Sequence, residues 1–182
     1  MAKKPPVAAT PPAAGPSTPS AGDREVFLTL SSALTGFSPI ELQGTGNPEP
    51  LLDFLWTIIG ADICSELLTV AASALAHSDE SERDQAIRTT LWSSPKIGPI
   101  VQALVRLWYT GKWNPLPAQW QETYRWDHPD PNAGAITVSP QAYVESLVFA
   151  AIAAHPPGAK ATGHGSWAFP PIVTAIPVTV TT

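Results

Sequence analysis

Residues able to do chemistry are sparse and scattered in this chain. Gly163-His164-Gly165-Ser166 sets an imidazole two residues from a hydroxyl. A nucleophilic serine site uses that pair when a carboxylate, here Asp79 or Asp127 on paper, orients the histidine. A glycine-rich stretch gives neither group a rigid element to stand on, so this spacing defines no triad. Asp127, His128 and Asp130 gather three potential metal ligands. Pro129 and Pro131 stand among them and no second histidine follows at helical spacing, so a solvated turn is the simpler reading. Asp62 and Glu66 share a helix face at i, i+4, a geometry that suits paired carboxylates and equally a wet helix surface. Gly163-x-Gly165-x-x-Ala168 imitates a dinucleotide fingerprint but follows no strand and opens no helix. There is no HExxH, no P-loop and no other cofactor box. The residues alone assign no catalytic, cofactor-binding or metal-binding side chain.

The elements that could position anything are helical. The clearest runs from Ile97 to Trp113, where Ile97, Ile100, Val101, Leu104 and Trp108 fall on one stripe while Gln102 and Arg106 face elsewhere. Pro95 and Pro99 suit its first turn, and Gly111 stands where a left-handed cap is wanted. Trp108, Tyr109 and Trp113 crowd its far end, as an aromatic plug. Upstream, Asp23 reads as an N-cap for a short helix with Phe27, Leu30 and Leu34 on its stripe and Gly36 as its stop. After a loop with Gly44, Gly46, Pro48 and Pro50, the segment 51–59 is apolar on nearly all sides and fits a central helix. Gly60 breaks it. A second helix, 61–76, carries the seam Ile63, Leu67, Val70 and Ala74, and Asp79 caps a weaker one over 80–92. Beyond Gly111 prolines predict an irregular insert over 112–138. Ser139-Pro140 then opens a closing helix that stops at His155-Pro156. The expected fold is therefore mainly α, five to six helices over 23–155, with a disordered Pro/Ala-rich tail at 1–22. Residues 156–182 should form a long extended, partner-binding segment, in which 176–181 could add an edge strand to a neighbour.

Composition narrows the function. The 182 residues are one domain's worth, and 44% hydrophobic residues support a globular core. Only 14% are charged while 21 are proline and 7 are tryptophan, which suits a chain that covers part of its apolar surface with something else. A net charge of -5 excludes a nucleic-acid partner, which calls for clustered Lys and Arg. One cysteine, Cys64, leaves no internal disulfide and no multi-cysteine zinc site. Its apolar helical setting points to a buried inert thiol, with an intermolecular bridge as the alternative. Asp53, Asp62 and Glu66 interrupt the long apolar run 51–76, which argues against a transmembrane segment. The amino terminus has no apolar h-region and no twin arginine, so no export signal is read.

Four stretches resemble one family. Phe27-Leu28-Thr29-Leu30-Ser31-Ser32-Ala33-Leu34-Thr35-Gly36 resembles the opening helix of the small subunit of bacterial membrane-bound, FAD-dependent sugar and polyol dehydrogenases, the sorbitol, fructose and glucose dehydrogenase group. Leu107-Trp108-Tyr109-Thr110-Gly111 resembles that family's Trp-Tyr-x-Gly helix end. The stretch from Ala142-Tyr143 to Phe149 is similar to its closing helix, and Gly165-Ser166-Trp167-Ala168 with Pro170-Pro171 to its Gly-x-Trp-Ala tail. Order and rough spacing agree over residues 24–171.

The resemblance implies a noncatalytic, chaperone-like small subunit with no cofactor of its own. A separate large flavoprotein would hold FAD and oxidise the substrate, and a multihaem cytochrome c could pass electrons onward. The small subunit would bind, stabilise and help mature or export that flavoprotein. Buried aromatics dominate interface hot spots, so Trp108, Tyr109, Trp113, Trp167 and Phe169 are the expected partner anchors, with a core role for Trp108 and Tyr109 as the alternative. Many members carry a twin-arginine signal on this subunit and this chain shows none. As read it stays in the cytoplasm, or reaches the periplasm or membrane carried by its partner. Two other functions stay open: a sugar or polyol oxidoreductase in its own right, and an orphan helical interaction module with another client.

Overall fold

Capping side chains, first-turn prolines and positive-φ glycines bound most of the helices in this architecture. A computed structural model describes residues 18–124 and 135–156. The fold is mainly α, with one small two-stranded sheet among the described residues. Helix α1 spans Ala21–Thr35 and buries Phe27 and Leu30. Its N-cap is Ser20 and not Asp23, a correction with a simple cause. The Ser20 hydroxyl accepts from the Asp23 amide while the Asp23 carboxylate accepts from the Ser20 amide at 2.8 Å, so the two form a reciprocal capping box and Asp23 lies inside the helix. Gly36, at φ 79°, closes the helix in the left-handed region as expected.

A short helix α2, Pro39–Gly44, occupies what reads as loop. Ser38 and Glu41 form a second capping box that starts it, and the hydroxyl and amide of Ser38 hold the Glu41 carboxyl below its usual pKa. Helix α3, Pro48–Ile59, buries Leu51, Leu52, Leu55, Trp56, Ile58 and Ile59, while Asp53 and Thr57 hold one face open to solvent. Gly60 turns the chain at φ 88° into α4, Ala61–Leu75, whose Ile63, Leu67 and Ala74 are buried. Asp79 caps α5, Glu80–Ala86. The helix then widens into a π-helical turn, Ile87–Trp92, in which the Ser93 amide reaches back five residues to the Arg88 carbonyl.

Helix α6, Gly98–Thr110, buries Ile100, Val101, Leu104 and Trp108, with Ile97 buried just before it, and leaves Gln102 and Arg106 exposed. The strand β1, Lys112–Trp113, pairs antiparallel with β2, Ile136–Thr137, Trp113 opposite Ile136. Between them lies α7, Ala118–Tyr124, a helix inside the segment expected to be irregular. Its Trp120 is buried and donates its indole N–H to the Lys96 carbonyl at 2.7 Å, which holds α7 to the entry of α6. The closing helix is not continuous. It divides into α8, Pro140–Val144, and α9, Leu147–Ala151, because the chain turns at Glu145 and Ser146 takes extended N-cap geometry. Helix α1 touches α2, α3, α4 and α6, so the core forms around it and the inner face of α6.

Two glycines mark where backbones meet. A Cβ at Gly111 would lie 2.5 Å from the Ala142 carbonyl oxygen, and φ there is 66°. A Cβ at Gly98 would lie 2.5 Å from the Trp92 carbonyl oxygen. Both contacts are to backbone, which cannot swing aside as a side chain can. Gly111→Ala should therefore cost more than the strain of a left-handed residue alone, about 2 kcal/mol or more in total, read as a lower midpoint in urea with the slope unchanged. At Gly36, where nothing lies within 4 Å of the added Cβ, alanine should cost only the conformational part, about 1 kcal/mol.

Candidate functional site

Residues 27–36, 107–111 and 142–149, far apart in sequence, meet at the far end of α6. Trp108 is 1% exposed and stacks on Phe27 with ring centroids 6.3 Å apart. Its buried indole N–H donates to the buried Ser31 hydroxyl at 3.0 Å. Tyr109 lies one residue on and so points to a different side of the helix. Its phenol donates to the Thr35 carbonyl at 3.0 Å, and its ring meets Phe37 edge-on. The Thr35 hydroxyl donates to the Ser31 carbonyl at 2.7 Å, so the two α1 residues that receive α6 are also tied to each other. Gly111 brings the same helix end against the Ala142-Tyr143 peptide, and the Val138 amide donates to the Gly111 carbonyl at 3.2 Å. Trp113 on β1 is fully buried and meets Phe54 of α3 edge-on.

The expected interface anchors thus divide. Trp108 and Trp113 lie in the chain's own core, and Tyr109 is half-buried with its hydroxyl bonded to α1. Trp167 and Phe169 lie outside the described residues. Among the described residues, the large apolar side chains that face outward are Ile40, Trp92, Tyr143 and Ile152. Periodicity leaves Ile40, Trp92 and Ile152 unmarked, each on a short helix or at a helix end; it sets Tyr143 on one stripe with Leu147 and Ala151, and the break between α8 and α9 turns Tyr143 outward instead.

The chemistry-bearing groups are occupied by structure where they are described. Glu66 pairs with Lys96, whose ammonium also lies 5.9 Å from the Tyr124 ring centroid. The Asp79 carboxylate accepts from the Glu82 amide. Asp127, His128 and Asp130, like His164 and Ser166, fall outside the described residues. Among the described residues no three His, Cys, Asp or Glu gather around a point that could hold a metal ion, and no helix is long and apolar enough to cross a membrane. Cys64 is fully buried in α4, and burial, with the Asp23 carboxylate adding to it, pushes its thiol up to about 12. A protonated, enclosed thiol is a poor nucleophile.

A groove of about 410 Å³ separates α2 from the α8–α9 turn. Phe37, Leu147 and Phe149 give it apolar walls, and Glu41 and His155 stand on its rim. Ser146, 3% exposed, lines it with a hydroxyl that has no hydrogen-bond partner. No sequence signal marks this groove, because its two walls lie about a hundred residues apart in the chain. Comparison with protein-family models, with curated proteins and with solved structures finds no match for this chain.

Two outcomes test this geometry. Trp108→Phe and Ser31→Ala each leave one buried polar group unpaired, so each should cost about 1–3 kcal/mol. The double variant should cost clearly less than their sum, with a coupling of about 0.5 kcal/mol or more in urea melts. Separately, the unfolded Cys64 thiol ionises near pH 8.5 but the folded one only near 12. The folded chain then binds the extra proton across that window, so stability should be intact below it and fall by up to about 1.4 kcal/mol per pH unit within it. Cys64→Ala should flatten that slope, and Ellman's reagent at pH 8 should react with the native thiol only after denaturant is added.

Proposed function

We propose that this chain is the noncatalytic small subunit of a bacterial FAD-dependent sugar or polyol dehydrogenase, binding the large flavoprotein and helping it mature or reach its site of action. FAD belongs to the large subunit in this reading, and a multihaem cytochrome c is the onward electron acceptor. The observation that carries the reading is the meeting of the family-like stretches. Residues 27–36, 107–111 and 142–149 are far apart in sequence, yet Trp108 bonds Ser31, Tyr109 bonds Thr35, and Gly111 abuts Ala142. Residues that resemble a family's landmarks and also pack as one unit are what a shared fold requires. The low charge and the outward-facing Ile40, Trp92, Tyr143 and Ile152 suit a chain that works against another protein.

Coexpression tests it. Coexpressed with a large flavoprotein subunit of that dehydrogenase group, the chain should copurify as a stoichiometric complex and raise the soluble, FAD-loaded large subunit several-fold over expression alone. Equal yield and FAD content with and without the chain would remove the client. Flavin absorbance and sugar oxidation by the purified chain alone would instead make it an oxidoreductase.

A further inference from the structure

The groove between α2 and the α8–α9 turn needs an occupant with particular properties. Its walls are apolar, its Ser146 hydroxyl is buried and unbonded, and Glu41 stands on its rim as a carboxylate held in the charged form by Ser38. A buried hydroxyl without a partner is uncommon and calls for a group to bond it. The fit is an extended segment with backbone amides and carbonyls to offer, an aromatic side chain, and positive but no negative charge. A segment of that description begins at the groove itself. Pro156, the last described residue, lines the groove, and the 26 residues from 157 to 182 follow it. They contain Lys160, Trp167 and Phe169 and no Asp or Glu. Ten residues of extended chain span up to about 33 Å, more than enough to carry Trp167 away from Pro156 and back. Tethering also spares the occupant most of the entropic cost of association, since its effective concentration is in the millimolar range.

We propose that this groove is the seat of the chain's own C-terminal segment, with Trp167 or Phe169 between Phe37 and Phe149, Lys160 facing Glu41, and a backbone group bonded to Ser146. The seat does not depend on the flavoprotein reading, and each can fail without the other. Its occupation would make the tail and any partner that needs it competitors for the same residues.

The full-length chain serves for the test. Ala150 is exposed on the groove wall and Cys64 is fully buried, so Ala150→Cys paired with Ala168→Cys should form an intrachain disulfide under mild oxidation, resolved by mass after proteolysis. A pair of Ala150→Cys with Thr182→Cys should crosslink far less. Hydrogen exchange gives a second readout. Replacing Trp167 and Phe169 together by alanine should speed exchange of amides over 146–154 at least tenfold, about 1.4 kcal/mol of lost protection, with the helical circular dichroism unchanged. Lys160→Glu should give a smaller change in the same direction. Unchanged exchange in the double variant, a disulfide mainly between two chains, or equal crosslinking of both cysteine pairs would each overturn the intramolecular seat.

Discussion

A tryptophan indole buried beside helix α1 sets the constraint on which the core depends. Trp108 is too large to leave the interior without opening it and too polar to stay there unpaired, so one hydroxyl must face it at the right height on α1. Ser31 meets that need at 3.0 Å, and Tyr109 repeats the arrangement one turn on with the Thr35 carbonyl. Hydrophobic burial alone would let two helices slide along each other. Two directional bonds, a turn apart on α1 and from adjacent residues on α6, fix both the rotation and the translation of the pair.

That constraint also explains the role of small residues in this fold. Ser31 and Thr35 lie on the buried face of α1 among Phe27 and Leu30, where a larger side chain would push α6 away. Gly111 does the same for the next layer, letting the Ala142-Tyr143 peptide rest on the end of α6. The core is thus a stack of close approaches, α1 on α6 and α6 on α8. Phe27, Trp108 and Tyr109 are spent on that stack, and the outward-facing apolar side chains belong to short helices and helix ends.

How much of this was legible in the sequence follows from the range of each interaction. The stripe of α6, the breaks at Gly36, Gly60 and Gly111, and the apolar α3 are local patterns, and a window of one helix contains them whole. Helix α2 was also readable in Ser38-Pro39-Ile40-Glu41, but the surrounding glycines and prolines outweighed a six-residue signal. Ser20 and Asp23 are both good caps, and only the reciprocal bond between them decides which stands outside. The split of the closing helix turns on Ser146, which competes as an N-cap in the middle of a periodic stretch. Bonds across many residues, such as Trp108 to Ser31, and the groove walled by α2 and α9 leave no local trace. A sequence window cannot contain both of their partners.

The π-helical turn at Ile87–Trp92 has a bearing on how this chain can change over time. A π turn holds one residue more than the α-helical path between the same two ends, so its register is a matter of length as well as residue type. The turn already carries one residue in excess, so removing one there would tighten 87–92 to α-geometry and leave α5 and the start of α6 where they are. The same loss inside α6 would rotate everything after it by about 100° and turn Trp108 off the inner face. Related chains should therefore tolerate a one-residue change of length at 87–92 and not within 98–110.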